Sequence, residues 1–320
     1  MNMKSALACL LSFALLAPAL SLHAEDHGTE ALRTAPLSGT RVELQAIPLF
    51  VERLLVPTLP ETSNTFTVAA QTVDEVLEAP AGFALDLHNG GLTIEAPAGE
   101  ASGYARIRLG GRELTLTLVN LIPSSHVQNG VLDGYQVGSY REPLNGLESY
   151  AKPLGFMRLT EENGELFVSD HYRLRDFQCK LDGESKFLIL RPEALLKLEL
   201  LQHELAEHGI DFDRFTIMSG FRTPYYNARI GNETSYSRHL YGDAMDVYID
   251  RNGDGRMDDI NKDGRIDSND AKYLQTVAAS IDSSKEWGWL KGGAGVYHAN
   301  AAHGPYLHVD ARGYVARWGV

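Results

Sequence analysis

The chain has 320 residues, enough for two domains with a sizeable core, and 44% of them are hydrophobic, which excludes a wholly disordered protein. Its formal net charge is -13. This charge argues against a nucleic-acid partner, because phosphate contacts need clustered cations, and against attraction to anionic lipid head groups.

The first 24 residues are typical of a secretory signal. Lys4 supplies the positive start, an apolar run follows, and Ala24 provides the small residue before the expected cleavage point. A membrane anchor is disfavoured because Pro18 interrupts the run, which is also shorter than the ~20 residues a span needs. Lipid attachment at Cys9 is disfavoured because too little apolar sequence precedes it. We expect a periplasmic or secreted protein with no membrane span after signal removal.

One cysteine, Cys179, remains once the signal is removed. A single thiol cannot form an internal disulfide, so stability must come from the core and from bound metals. Cys179 is either a nucleophile or a small buried apolar residue, and the sequence around it favours burial.

Residues 40–127 are predicted to form a small all-β, sandwich-like domain with antiparallel strands. Turn signals separate short segments in which apolar and polar residues alternate. These segments are 41–46, 64–68, 83–87, 92–96, 104–109 and 113–119. The domain shows no catalytic cluster, so a spacer or substrate-docking role is expected. A linker at 25–39 precedes it, and a connecting segment at 128–175 follows.

The remaining residues, 176–320, have the pattern of an α+β domain. An amphipathic helix is expected over 191–209, because Pro192 suits a first helical turn and Gly209 suits a helix end. Strands are expected at 214–219, 244–249 and 306–311. The fold class is therefore α+β, with a small antiparallel sheet and flanking helices in the second domain.

Three residues in this domain form a candidate metal site: His239, Asp246 and His308. Two imidazoles and one carboxylate are a ligand set used by catalytic zinc, which keeps its fourth position open for water. Such a metal makes hydroxide available near neutral pH and polarises a carbonyl. Asp310 lies two residues after His308 and therefore on the same face of the strand, where it could accept a hydrogen bond from a ligand imidazole.

Three motifs extend this pattern. They are Ser219-Gly-Phe-Arg-Thr, Ser237-Arg-His-Leu-Tyr-Gly-Asp-Ala-Met-Asp246 and His308-Val-Asp310. Together they resemble the zinc D-Ala-D-Ala carboxypeptidase family, which includes murein endopeptidases and is distantly related to the hedgehog signalling domain. The resemblance covers about residues 176–320.

The resemblance implies that His239, Asp246 and His308 bind zinc. It implies that Arg222 hydrogen-bonds the scissile carbonyl and its developing oxyanion, a role in which a fixed cation is effective. Ser237 is expected to shape the turn that carries His239 or to contact substrate.

One position departs from the family pattern. Many family members have a carboxylate, the general base, three residues before the last histidine ligand, and Pro305 occupies that place here. Asp310 and His303 are the candidate bases within reach, and His298 is a weaker one. The alternative is a domain that binds without cleaving.

A second metal signal lies in residues 250–270, which match the spacing of calcium-binding loops. The main loop would use Asp259, Asn261, Asp263, the Arg265 carbonyl, Asp267 and Asp270. An overlapping loop would use Asp250, Asn252, Asp254 and Asp258. We expect a structural Ca²⁺ that holds the strand carrying Asp246, while a solvated acidic loop is the alternative.

These observations predict a zinc metallopeptidase that acts on peptidoglycan peptides, as a carboxypeptidase or an endopeptidase. The rival is a non-catalytic, metal-containing module that binds the cell wall. A peptidase for other peptides is a third possibility.

Overall fold

The structure of this protein, a computed structural model, describes residues 39–232 and 234–319. The predicted signal segment at 1–24 lies outside the described residues, as does the predicted linker at 25–39 except for its last residue. None of the described helices is long and apolar enough to cross a membrane. Because residues 1–24 lie outside the described residues, the signal segment stays a prediction.

Eight strands between residues 41 and 120 form two four-stranded sheets. They are β1 (Arg41–Leu44), β2 (Arg53–Thr58), β3 (Ser63–Val68), β4 (Val73–Glu78), β5 (Ala84–His88), β6 (Gly91–Glu95), β7 (Ser102–Leu109) and β8 (Arg112–Asn120). The first sheet has the order β1-β3-β6-β5 and the second has the order β2-β8-β7-β4. Buried apolar side chains of both sheets belong to one core cluster.

The pairing in these sheets is not antiparallel throughout, so that part of the sequence prediction is wrong. Strand β1 runs parallel to β3, and β2 runs parallel to β8. The physical reason is that the consecutive strands β1 and β2 belong to different sheets instead of forming a hairpin. Each therefore joins its sheet beside a strand that runs in the same direction.

Short strands and turns lie in the connecting segment and on either side of it. Strands β9 (Ile122–Pro123), β12 (Gly155–Leu159) and β13 (Lys186–Leu188) form a three-stranded sheet, and β10 (Val131–Leu132) pairs with β11 (Tyr135–Gln136). Single 3₁₀ turns lie at Ser124–His126, Leu144–Gly146, Glu148–Tyr150, Asn163–Glu165 and Leu174–Phe177. Cys179 is 1% exposed, which confirms its predicted burial.

The last part of the chain forms a five-stranded sheet with three helices. Its elements are α1 (Pro192–Glu207), β14 (Thr216–Ser219), α2 (Pro224–Arg229), β15 (Ala244–Tyr248), α3 (Ser268–Ser283), β16 (Gly293–Tyr297), β17 (Tyr306–Asp310) and β18 (Ala316–Trp318). The strand order is β14-β15-β17-β16-β18, with only the β16–β18 pair parallel. The predicted α+β class is confirmed.

Two long helices pack behind this sheet. The predicted helix is present as α1, with Pro192 in its first turn and Gly209 in the left-handed region just after its end. Helix α3 was not predicted; it begins after Asp267, which forms a capping box with Asp270. Helix α3 packs on α1, β16 and β17, which fixes the strand that carries His308.

Candidate metal centre

His239, Asp246 and His308 converge at the centre of the five-stranded sheet. Within the described residues they are the single group of three or more His, Cys, Asp or Glu whose potential ligand atoms all lie within 4.8 Å of one another. The Nε2 of His239 lies 3.2 Å from both the Asp246 Oδ1 and the His308 Nδ1. The His308 Nδ1 lies 2.9 Å from the Asp246 Oδ1.

The outer nitrogen of each imidazole is held by a hydrogen bond. The Nδ1–H of His239 donates to the Gly220 carbonyl at 2.6 Å, and the Nε2–H of His308 donates to the Asp310 carboxylate at 3.0 Å. These bonds leave the inner nitrogens free to offer lone pairs to a common point. Ordering of ligand rings in this way is the usual support for a metal-binding histidine.

The donor set fits zinc in chemistry and in spacing. Tetrahedral zinc with bonds of about 2.0–2.1 Å places neighbouring ligand atoms about 3.3 Å apart. The three separations between ligand atoms are 2.9, 3.2 and 3.2 Å. Three protein donors also leave one of the four positions for water or substrate.

The electrostatics of the cluster favour a cation. Burial lowers the pKa of His308, but hydrogen bonds to Asp246 and Asp310 outweigh it and raise that pKa to about 9. Burial pushes the pKa of Asp246 upward, yet the two histidines hold it well below its usual range. Burial lowers the pKa of His239. The cluster therefore stabilises one positive charge between its donor atoms, as a metal site must.

Two local features place these ligands. His239 lies in a 3₁₀ turn, Arg238–Tyr241, which ends at Gly242 with φ of 72°. A Cβ at Gly242 would lie 2.5 Å from the Ile189 carbonyl oxygen, so the turn requires glycine. Asp246 and His308 are directly opposed partners on the antiparallel strands β15 and β17. Sheet register, fixed by the buried face, therefore brings these two ligands together.

Arg222 lies beside the cluster, as predicted. Its Nε donates to the Ser219 Oγ at 2.9 Å, and its Nη2 forms an ion pair with the Asp246 Oδ2. The side chain is 13% exposed. Arg222 is thus a fixed cation next to the donor atoms, and Asp246 keeps its other oxygen for the metal.

A cavity of about 440 Å³ opens onto the cluster. Its lining includes Arg222, Ser237 and the aromatic rings of Tyr297, Tyr306 and Trp318. Ser237 precedes the 3₁₀ turn but its side chain makes no capping hydrogen bond. Its position on the cavity wall is compatible with the expected contact to substrate.

None of the three candidate bases, Asp310, His303 and the weaker His298, lines that cavity. Asp310 has a fully buried carboxylate that accepts from His308 and from the Arg312 guanidinium. Its placement supports orientation of His308 and not proton transfer with substrate. The ring nitrogens of His303 contact Asn300 and the Gly304 carbonyl, each at 2.8 Å. Among the described cavity-lining residues, Asp246 is the single carboxylate.

The predicted calcium residues lie in two successive turns between β15 and α3, except Asp270, which lies in the first turn of α3. The first aspartate of each turn, Asp250 or Asp259, accepts hydrogen bonds from backbone N–H groups four and five residues later. Asp258 pairs with Arg251, and the buried Asp270 accepts from the backbone of residues 260, 261 and 267. The side chains of Asn252, Asp254, Asn261, Asp263 and Asp267 also bond within the loops. Among the residues that the structure describes, the loop carboxylates do not form a group as compact as the cluster of His239, Asp246 and His308, so calcium stays a prediction.

The sequence did not reveal two side chains that support His308. The Trp318 ring lies 5.1 Å from the His308 ring, and it fits because a Cβ at Gly295 would lie 2.2 Å from that indole. Arg312 holds both oxygens of Asp310. Asp310 and Arg312 are two residues apart in sequence. This spacing is the local signal that could have indicated the contact between them.

Comparison with known proteins matches part of this chain to a peptidase family. The Peptidase M15 family model matches residues 170–270, a span that contains Arg222, His239 and Asp246 and ends before His308. This match confirms the resemblance inferred from the motifs. No curated protein and no solved structure matches the chain.

Proposed function

We propose, from the match of residues 170–270 to the zinc-dependent Peptidase M15 family, that this chain is a secreted or periplasmic zinc metallopeptidase that cleaves peptidoglycan stem peptides or cross-links. The observation that carries the proposal is the convergence of His239, Asp246 and His308 beside Arg222. The apolar leader supports an extracytoplasmic protein, and the acidic net charge argues against one that binds nucleic acid.

The three ligands would hold zinc, which when bound supplies a Lewis acid for a carbonyl and lowers the pKa of water. Arg222 is positioned to donate its remaining N–H groups to a carbonyl oxygen as negative charge develops there, a contribution that is large in a site shielded from water. Asp310 keeps the His308 ring in one orientation and one tautomer.

Two of the tyrosines that line the cavity are Tyr297 and Tyr306. Burial raises the pKa of Tyr306 far above neutral, so this hydroxyl can donate a hydrogen bond to substrate but does not ionise at neutral pH. Tyr297 accepts a hydrogen bond from the Trp318 Nε1 at 3.1 Å. The two tyrosine rings stack 4.6 Å apart and form an aromatic wall for a substrate peptide.

The experiment that tests this proposal is digestion of purified peptidoglycan by the zinc-loaded protein, with mass spectrometry of the released muropeptides. The His239→Ala variant should release none, while His126→Ala, which changes an exposed histidine outside the cluster, should match the wild type. Cleaved D-alanine would indicate a carboxypeptidase, and cleaved cross-links would indicate an endopeptidase. A wild type that releases no product from peptidoglycan contradicts the proposal.

A second candidate function is a non-catalytic wall-binding module that contains zinc. It is favoured by Pro305 at the usual base position and by the absence of a free carboxylate among the described cavity-lining residues. Stoichiometric zinc, sedimentation with peptidoglycan and no released peptide would together support it. Cleavage of unrelated peptides alone would favour the third possibility, a peptidase for other substrates.

We also propose a structural Ca²⁺ in residues 250–270. The glycine at the sharp-turn position of each loop is left-handed, with φ of 79° at Gly255 and 84° at Gly264, as the calcium-loop pattern requires. Calorimetric titration of the zinc-loaded protein with Ca²⁺ tests this. Binding should weaken in Asp263→Asn and persist in Asp211→Asn, which lies outside the loops. If Ca²⁺ gives no heat of binding with the wild type, the result favours the alternative, a solvated acidic loop.

A further inference from the structure

Part of the connecting segment is hydrogen-bonded to the turn that carries His239 and to the residues just before it. Residues 139–151, named here the tyrosine brace, precede the family-matched span of 170–270. The Tyr140 hydroxyl donates to the Leu240 carbonyl at 2.9 Å, one residue after the metal ligand. In return, the Tyr236 hydroxyl donates to the Glu142 carbonyl at 3.1 Å. The turn and the brace are thus joined by hydrogen bonds on both sides of His239.

Arg238, the residue directly before His239, is enclosed by the same segment. Its guanidinium lies 4.2 Å from the Tyr150 ring centroid and 4.8 Å from that of Tyr241. It donates to the Ser149 carbonyl at 2.8 Å and forms a buried ion pair with Asp243. A side chain that is 1% exposed and bound on each face has little freedom. Its backbone, and therefore the start of the turn, is held with it.

The brace also reaches the support of the third ligand. The Tyr150 and Tyr314 hydroxyls lie 2.7 Å apart, and the Arg312 guanidinium lies 5.6 Å from the Tyr314 ring. Arg312 in turn binds the Asp310 carboxylate that orients His308. One segment outside the matched span therefore contacts the turn that carries His239 directly and reaches the support of His308 through Tyr314 and Arg312.

We propose that Tyr140 and Tyr150 are positioning residues of the metal centre, which set its zinc affinity by keeping the His239 turn in its metal-binding conformation. The proposal rests on the proposed function in one respect, namely that the cluster holds zinc. The affinity of a site falls in proportion to the fraction of molecules in the competent conformation. A turn that is loosened without the brace spends less time with the His239 Nε2 opposite Asp246 and His308, so zinc binds more weakly.

The test measures zinc affinity by competition with a chromophoric chelator, in the full protein and well below its unfolding temperature. Tyr140→Phe removes one hydroxyl, and Tyr150→Leu removes the ring over Arg238. Tyr104→Phe is the matched control, because its hydroxyl also makes one backbone hydrogen bond, accepting from the Phe167 N–H at 2.9 Å in the first part of the chain. Absorption spectra of the Co²⁺-substituted proteins report ligand geometry independently of activity.

We expect zinc affinity to fall about tenfold in Tyr140→Phe and further in the double variant, as for other groups that hold a metal ligand in place. The Co²⁺ spectrum should change, and the control should match the wild type in both measurements. Unchanged affinity and spectrum in a folded Tyr140→Phe protein overturn the proposal. If Tyr150→Leu does not fold, Tyr140→Phe decides alone.

The outcomes separate this proposal from the proposed function. If the wild type binds no zinc, both the proposed function and the role of the tyrosine brace are contradicted. A wild type that binds zinc but hydrolyses nothing removes the proposed peptidase and leaves the brace to be judged by affinity. Full peptidase activity together with an unchanged zinc affinity in Tyr140→Phe overturns the brace alone.

Discussion

The His308 Nε2 lies 3.0 Å from the Asp310 Oδ2, while the Nδ1 of the same ring lies 2.9 Å from the Asp246 Oδ1. His308 is therefore held between two carboxylates, one on the metal side and one behind. Asp310→Asn removes the charge that orients the ring, and we expect zinc affinity to fall roughly 10- to 100-fold. Chelator competition measures this loss.

Asp282→Asn is the control for that variant. Asp282 is equally buried and pairs with Lys197, which also donates to the Asp310 carbonyl, but it does not contact His308. This variant should lose stability and keep its zinc affinity. Equal losses of affinity in both variants would show that the ion network, and not the contact to His308, governs the metal.

Replacement of Arg222 should lower kcat without removing the metal. The guanidinium of this residue is the fixed donor beside the three ligands, and loss of one such donor typically costs about 10²–10³ in kcat. We expect Arg222→Ala to retain stoichiometric zinc and to lose activity on that scale, measured on a purified muropeptide. Arg229→Ala, at the exposed end of α2, should behave as the wild type. Loss of zinc from Arg222→Ala would assign the residue to metal support through Asp246.

His303→Ala should leave kcat nearly unchanged. Both ring nitrogens of His303 are engaged by neighbouring residues, and the side chain does not line the cavity. Loss of a general base typically costs about 10²–10⁴ in rate. If His303→Ala lowers kcat by that factor and alters the pH–rate profile, His303 is the general base.

Stability should depend on pH through Asp170, which lies outside the metal centre. Burial raises the pKa of Asp170 to about 6, from 3.8. The folded protein therefore binds a proton more tightly than the unfolded chain, and stability falls as pH rises from about 4 to about 6 and then levels off. Asp170→Asn can still accept the hydrogen bond from the Glu52 N–H. It should be more stable than the wild type at pH 7.5 but not at pH 4.

Chemical denaturation at these two pH values, with metal content held equal, checks the prediction. His171 should contribute in the same sense, because its hydrogen bond to Glu199 raises its pKa and that stabilisation is lost as pH rises through the raised value. If the free energy of unfolding differs between Asp170→Asn and the wild type by the same amount at both pH values, this prediction is contradicted.

The sequence could predict that His239, Asp246 and His308 come together because each lies in a short motif on a strand or turn with a regular pattern. Strands β15 and β17 were found from their alternation, and α1 from its periodicity and its end signals. Strand β2 was missed because its apolar run, Leu54 to Val56, does not alternate. Helix α3 is not evident from the sequence because its first residues overlap the calcium-loop pattern of residues 250–270.

The tyrosine brace could not have been predicted in this way. Tyr140 and Leu240 are 100 positions apart, and nothing in the local sequence of either indicates the other. Parallel pairing of β1 with β3 was likewise inaccessible, because it depends on which sheet each strand joins. Local patterns determine elements, whereas contacts of this kind depend on the whole tertiary arrangement.

The cross-strand pairing of Asp246 with His308 has a consequence for how this chain tolerates change. The two residues are 62 positions apart in sequence, yet they are directly opposed partners in the ladder between β15 and β17. The intervening acidic loops can therefore lengthen, shorten or acquire new binding partners while the donor atoms stay where they are. The metal centre and the surface beside it are free to diverge at different rates.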